Sequence, residues 1–596
     1  MCGIAGALAP RADSMRTVQR MHEAMAHRGP DRAGIVQAGR ALLAHRRLSI
    51  IDLSDAAAQP MWDAEGEICI AYNGEIYNYR ALREECLRRG ARFVSQSDTE
   101  VILQLYRLDG ETAFARLNGM FAFALVDTRG DDAFLVRDVM GIKPLYWSPG
   151  ELLFASELSA FRGEVDAAAL QAYAQLDFVP SPLSMIRGVR KLPGGHLVHA
   201  TRDGFRVRRY REEPAGPVSA GFDETIREVV ARQLIADVPL GVFLSGGIDS
   251  SIVARVAADL AGRISTFSIA FDDPSFDESP YFETVAKAIG SDHHTERITE
   301  RTMEELLPEV PRVVGEPLAD SSIFPTYLLA KFARRHVKVA LSGDGADELF
   351  GGYPTHRVIG LGRRLARVRA PLFALAQRLP VSHDNLSFDY RVKKLLEGAH
   401  PDPVVQNERW LGTFLEEELP SLLTSYDAGA QPQLLEALHE PARGAPNDLE
   451  AVLRTDRRFY LQDGVLVKVD RATMASALEV RVPMLDDAIV RFASALPAGE
   501  KHDKRILRRW ARQHFPRSIW HRKKKGFGAP LARWFRGPLR AFVRDTLAPD
   551  ALRRDGFYQP AAVARILDAH ERGRSDERKR IFNLLMFTLW YRTFHE

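Results

Sequence analysis

Between Val242 and Leu260 the chain runs through one short arc that few folds can supply. Val242-Phe243-Leu244 reads as a buried strand, Ser245-Gly246-Gly247 as a turn, and Ile248–Leu260 as a helix. Strand, glycine break and helix in that order form the repeating unit of a parallel sheet covered on both faces. Ile264–Phe271 and Val337–Leu341 repeat the strand theme, and Phe222–Ala236 carries a helical stripe at 222, 226, 229, 230 and 234. Glycine lets backbone amides approach an anion closely, and the helix start adds partial positive charge. The loop Ser245–Ser251 therefore suits phosphate, with Asp249 placed for magnesium rather than for the phosphate itself. It is not a Walker loop, because the GxxxxGK[ST] spacing is absent.

A second loop, Ser342-Gly343-Asp344-Gly345-Ala346-Asp347-Glu348, again follows directly on a strand. Its carboxylates at 344, 347 and 348 suit a metal and a nucleotide. A solvated acidic turn is the bland reading. Two such loops at strand ends of one sheet count against it, because ligands gather at the carboxyl ends of parallel strands.

The first 210 residues follow a different grammar. Phe121, Phe123 and Leu125 alternate with Ala122, Ala124 and Val126, a turn follows at 128–132, and Ala133–Val136 closes a hairpin. Further hairpins surround Ser148-Pro149-Gly150 and Arg202-Asp203-Gly204. A short strand is expected at Arg92–Ser95, then a helix at Glu100–Leu108. Pro, Gly, Ala and acidic residues over Glu212–Ser219 mark a linker. Beyond Leu341 the pattern is mostly helical and rich in Arg and Leu.

Cys2 stands at the head of the chain. If the initiator methionine is removed, its thiol sits beside its own α-amine, whose reference pKa of about 7.7–8.0 suits it to take the thiol proton. A cysteine at position two is more often chance, but companion segments change the balance. Arg47-Leu48-Ser49-Ile50-Ile51 offers a guanidinium for a carboxylate. Asn73-Gly74-Glu75 offers an amide and a backbone N–H for an oxyanion, and Ser97-Asp98-Thr99-Glu100 a carboxylate for an ammonium group. Together they outline an amino-acid pocket.

The bulk numbers exclude several classes. At 596 residues the chain is too long for one core. Its 81 basic and 78 acidic residues leave +3, too little to imply a nucleic-acid or membrane partner. Cys2, Cys69 and Cys86 form no CxxC pair and no disulfide framework. No apolar run approaches a membrane span, and the start lacks a secretory leader, so a cytoplasmic protein is expected.

Cys2-Gly3-Ile4-Ala5-Gly6, His27-Arg28-Gly29-Pro30-Asp31, Arg47–Ile51, Asn73–Asn78 and Ser97–Glu100 resemble a class II glutamine amidotransferase domain. The glycine loops, Ala477–Asp486 and the basic Arg522–Lys525 resemble the ATP-pyrophosphatase domain of glutamine-hydrolysing asparagine synthetases. The resemblance implies an N-terminal-nucleophile hydrolase αββα sandwich at 2–211. It implies a doubly wound parallel-sheet domain with a helical C-terminal part at 220–596.

By the same resemblance Cys2 is the nucleophile, and Asn73 and Gly74 hold the oxyanion. Arg47, Leu48, Ser49, Ile50, Ile51, Asn73, Gly74, Glu75 and Asp98 contact glutamine. Leu244, Ser245, Gly246, Gly247, Asp249, Ser250, Ile269, Ser342 and Gly343 contact ATP. Asp249 and Asp347 carry Mg2+, while Asp344 and Lys524 serve the adenylate or ammonia step. The acceptor is a carboxylate, aspartate first, near Glu316–Ser322. An apolar tunnel joins the sites, and the family leaves room for a homodimer.

Two other readings compete. One is the same chemistry on another acid, such as a sugar acid of a surface polysaccharide. The other is an RNA-modifying protein, from the basic run Arg505, Arg508, Arg509, Arg512, Arg517 and Arg522–Lys525. That run lacks interleaved aromatic platforms, and a pyrophosphate-neutralising or solvated helix face suits it better.

Overall fold

A computed structural model describes residues 2–382, 387–522 and 528–595. The first half is built from two six-stranded antiparallel sheets. One runs Arg190–Lys191, Tyr146–Trp147, Leu153–Ala155, Gly3–Ala7, Ala41–Arg47, Arg32–Ala38. The other runs Gly204–Arg209, His196–Thr201, Asp132–Arg137, Gly119–Asp127, Ile68–Ile76, Met61–Trp62.

The alternation in Gly119–Asp127 explains the layering. Ala122, Ala124 and Val126 face the opposite sheet, where they meet Ile4, Leu43 and Phe154. Phe121, Phe123 and Leu125 point the other way, onto the helices Tyr79–Arg88 and Asp98–Asp109. Both parities are apolar because both faces are covered, with small residues where sheet meets sheet. Ser14–Ala24 covers the outer face of the first sheet through Val18 and Met21. The result is the expected four-layer αββα sandwich.

All three expected hairpins form. The strand expected at Arg92–Ser95 does not. Glu100 takes the N–H groups of Val94 and Ser95 at 2.8 and 2.7 Å, so these donors are spent on a side chain and unavailable to a ladder. Val94 is left 76% exposed.

The second half holds a five-stranded parallel sheet, ordered Asp292–Ile298, Ser265–Phe271, Leu240–Phe243, Val339–Leu341, Glu479–Arg481. Phe222–Gln233 and Ile248–Ala261 cover one face through Ile226, Val230, Ile252 and Val256. Ile323–Ala333 and Leu466–Met474 cover the other. Residues 212–219 join the halves without regular structure.

The helical run Asp448–Met474 widens to π geometry at Arg457–Val465, where it meets the first half. Gln462 accepts from Gly194 N at 2.9 Å and donates to Ser181 Oγ at 2.8 Å; Asp463 accepts from Ser181 N at 2.7 Å. Such bulges turn side chains that an α-helix would aim elsewhere.

Buried ion pairs close the seam between the halves. Arg28, wholly buried, meets Asp470 at 2.8 Å and Glu157 at 2.7 Å, and Arg471 meets Glu157 at 2.9 Å. Lys191 meets Glu316 at 2.7 Å. Removing one member strands the others without solvent, at a cost of about 3–5 kcal/mol. Asp470→Ala should therefore lower stability by that order in urea titration, while Arg32→Ala, at an exposed pair with Asp55, stays within about 0.5 kcal/mol. A loss under about 1 kcal/mol for Asp470→Ala would contradict a seam held this way.

Candidate functional site

Cys2 lies just ahead of the strand Gly3–Ala7, pinned by its own backbone. Its N–H donates to Asn73 Oδ1 at 2.9 Å and its carbonyl accepts from Arg28 Nε at 3.0 Å. The thiol faces the Leu48 carbonyl at 3.9 Å, and burial pushes its pKa up. Asn73 is fully buried in the neighbouring sheet. Because its oxygen serves Cys2, its Nδ2 is a buried donor with no hydrogen-bond acceptor among the described residues.

Around the thiol lies a pocket of about 40 Å³, room for only a few waters. Arg47, Leu48, Ile50, Ile51, Gly74, Glu75 and Asp98 line it as the sequence suggests. Ser49 and the Asn73 side chain are not part of that lining; Ser49 N instead donates to Asp31 at 2.8 Å. Arg47 is held by the carbonyls of Ser54 at 3.0 Å and Asp52 at 2.5 Å. Gly74 has to be glycine, since a Cβ would come within 2.3 Å of the Met120 carbonyl oxygen.

Asp98 accepts from Tyr72 Oη at 2.7 Å and Ile76 N at 3.0 Å. Burial nevertheless raises its carboxyl to about 6, against the pull of the Tyr72 bond. A buried anion that binds a cation from outside is worth more than an exposed one, because no water competes.

At the carboxyl ends of the parallel strands lies a cavity of about 560 Å³. Leu244, Ser245, Gly247, Asp249, Ser250, Ile269, Ser342, Gly343, Asp344 and Asp347 all line it. Gly246 lies behind the lining at φ +68°, where a Cβ would strike Phe282 N at 2.5 Å. The serines brace the loop: Ser245 and Ser250 hydroxyls lie 3.0 Å apart, and Ser251 Oγ donates to the Gly247 carbonyl at 2.7 Å. Gly343 seats the second loop on the first, its missing Cβ only 2.6 Å from Ser250 N.

Asp249 and Asp347 converge on a single cation, the Lys504 ammonium, at 2.5 and 2.6 Å. Burial, and then the neighbouring Asp347 charge, push the Glu348 carboxyl up, and it accepts from Tyr353 Oη at 2.5 Å. Lys524 lies outside the described residues. Glu316 leaves the cavity for Lys191, whereas Asp320, Ser321 and Ser322 stay in its wall and Lys468 meets Asp320 at 3.2 Å.

Comparison with known proteins finds a match for each half of the chain. The glutamine amidotransferase domain profile matches residues 1–211, and the asparagine synthase profile matches 221–592. The chain belongs to the asparagine synthase family. A Mycobacterium tuberculosis relative, named provisionally as a glutamine-hydrolysing asparagine synthetase, is 36% identical over all of this chain and 98% of its own length. Asparagine synthetase [glutamine-hydrolyzing] 1 of Bacillus subtilis is 33% identical over 99% of this chain and 96% of its own. Asparagine synthetase B of Escherichia coli is 32% identical over 59% of this chain and 65% of its own.

Within this asparagine synthase fold, sequence reasoning missed three residues that the geometry brings in. Glu479 comes from the second half to line the Cys2 pocket. Arg481, two residues on, meets Glu75 of the first half at 3.1 Å, and its carbonyl accepts from Ser342 N at 2.9 Å. One strand thus lines the first cavity and holds the loop that lines the second. Lys504 carries no sequence signal, since only the fold sets it between two aspartates. An apolar cluster spans the same seam, with Tyr77, Met120, Met140 and Ile142 against Leu244, Val465, Leu466 and Met484.

The raised Asp98 carboxyl has a consequence for stability. The folded state keeps its proton to about pH 6, the unfolded chain only to about 3.8. The stability it confers is full below the unfolded value and is lost as pH rises through the folded one. Asp98→Asn should therefore flatten the fall in unfolding free energy between pH 5 and 7 by about 1–1.5 kcal/mol in urea titrations. An unchanged slope would contradict a buried, proton-holding Asp98.

Proposed function

We propose that the chain is a glutamine-dependent asparagine synthetase, freeing ammonia in its first half and spending ATP on aspartate in its second. The observation that carries the first step is the idle Nδ2 of Asn73 beside Cys2. An unpaired buried donor costs about 1–3 kcal/mol, and it is repaid when an oxyanion takes its place.

In this reading the mature chain starts at Cys2 and its α-amine takes the thiol proton. The thiolate attacks the glutamine carboxamide carbon, and the oxygen's charge falls on Asn73 Nδ2 and the Gly74 N–H. Asp98 and Glu75 face the substrate ammonium, and Arg47 its carboxylate. Ammonia leaves with the proton returned by the amine, and water then releases glutamate from the thioester.

The second half is read as the ATP site because both glycine loops line one cavity at the carboxyl ends of the parallel strands. The acceptor carboxylate attacks the α-phosphorus, giving an acyl adenylate and pyrophosphate. Ammonia then attacks the acyl carbon and AMP departs. Asp249 and Asp347 fit magnesium, since they already converge on a cation and this metal takes one or two carboxylates plus phosphate oxygens. When bound, it would neutralise phosphate charge as the bond breaks. Asp344, braced by Ser342 Oγ at 2.8 Å, and Lys524 are assigned to the adenylate step. The apolar seam from Met120 and Ile142 to Leu244 would carry ammonia unprotonated.

Aspartate is the acceptor that this reading favours, with Asp320 and Lys468 at its end of the cavity. That end extends to Trp410, Leu411 and Lys579, an aromatic and cationic wall that keeps a larger acid, such as a sugar acid, as the second reading. Pyrophosphate release across a panel of acids decides between them. Aspartate should stand at least about tenfold above the rest in kcat/KM, and a preference for another acid would overturn it. In the same assay Cys2→Ala should lose glutamine-dependent turnover by at least about a hundredfold and keep the ammonia-dependent rate. Equal loss of both would contradict the division of labour.

A further inference from the structure

The basic run in the second half finds no use in the chemistry above. The helix Arg505–His514 buries Leu507, Trp510 and Ala511 and turns Arg505, Arg508, Arg509 and Arg512 the other way. Like charges at helical spacing repel, so such a stripe is destabilising unless something answers it. These four, with Arg357 and Arg522, wall a groove of about 440 Å³. Carboxylates answer only part of the charge. Asp503 serves Arg357 and Arg508, Glu500 serves Arg509, and Glu278 serves Arg522. Arg505 and Arg512 meet no carboxylate among the described residues; Arg512 lies over the Trp520 ring at 5.7 Å.

A solvated helix face would be convex and unconnected to anything. This one is concave, and it lies beside the nucleotide cavity. Arg508 and Arg522 line both spaces. Arg522 also donates to the Ser245 carbonyl of the first glycine loop at 3.3 Å. An anion released at that loop therefore meets Arg522 and Arg508 first, and the two uncompensated arginines beyond them. Guanidinium groups in a row suit a ligand with several phosphate oxygens, which they can hold in bidentate fashion.

We propose that this arginine groove is a product-side anion site that receives pyrophosphate as it leaves the nucleotide cavity. The proposal rests on the reading that the second half cleaves ATP between its α and β phosphates. A positive path eases the departure of pyrophosphate past Asp249, Asp344 and Asp347. The groove supplies one through Arg522 and Arg508. It would also set how strongly accumulated pyrophosphate holds the enzyme back, because release steps often limit turnover.

The test uses the full chain with magnesium, its nucleotide cavity filled by α,β-methylene ATP, which cannot be cleaved at that bond. Inorganic pyrophosphate is then titrated by calorimetry. One pyrophosphate should still bind per chain. The double variant Arg505→Ser/Arg512→Ser, both positions exposed, should weaken it by about tenfold or more while binding the ATP analogue as before. Arg505→Lys/Arg512→Lys should recover part of that loss. Product inhibition by pyrophosphate should weaken in parallel, with glutamine hydrolysis unchanged. Pyrophosphate that fails to bind once the analogue is in place, or that binds parent and variant alike, would overturn the groove alone. An analogue that does not bind the parent would sink the nucleotide reading and this proposal together.

Discussion

A guanidinium removed from water has to be answered by acceptors, and for Arg28 and Arg481 part of the answer is a carboxylate of the opposite half. Arg28 reaches Asp470 across 442 residues of sequence, and Arg481 reaches back to Glu75. Each half supplies a carboxylate that the other half's buried arginine would otherwise lack. The two halves are thereby held in one arrangement, and the positions of both cavities follow from it. Arg28 shows the economy most clearly. The same side chain that bonds Asp470 also bonds the Cys2 carbonyl, so the seam fixes the candidate nucleophile.

The strand Glu479–Arg481 carries the argument further. It is the edge strand of the parallel sheet, next to Val339–Leu341, whose end releases the loop Ser342–Asp347. Its first residue lines the Cys2 pocket and its last holds Ser342 by a backbone bond. A shift of that strand would be felt in both cavities at once. The apolar cluster alongside gives a water-poor seam between them, which suits the proposed transfer of a neutral nitrogen.

Much of this was readable from local pattern. The strict alternation of Phe121 through Val126 fixed a strand and named both its faces, because a period of two has only two answers. The glycine loop was legible because strand, break and helix occupy adjacent residues. What escaped was set by distance. Lys504 sits between Asp249 and Asp347 only because a turn with positive φ at Asp503 and Lys504 delivers it there. Glu479 joins a pocket made of residues more than 370 positions away. Arg92–Ser95 failed for a subtler reason: a nearby carboxylate outbid the sheet for its N–H groups, and propensity cannot see such competition.

In the proposed reaction, nitrogen released at Cys2 reaches the nucleotide cavity inside the protein. Turnover of amide-¹⁵N glutamine in a large excess of unlabelled ammonium tests it directly, with the amide product read by mass spectrometry. Product should carry the label almost undiluted under conditions where glutamine saturates the enzyme. Label diluted in proportion to the outside ammonium would mean that the two sites exchange nitrogen through solvent, and the seam would then have no part in the reaction.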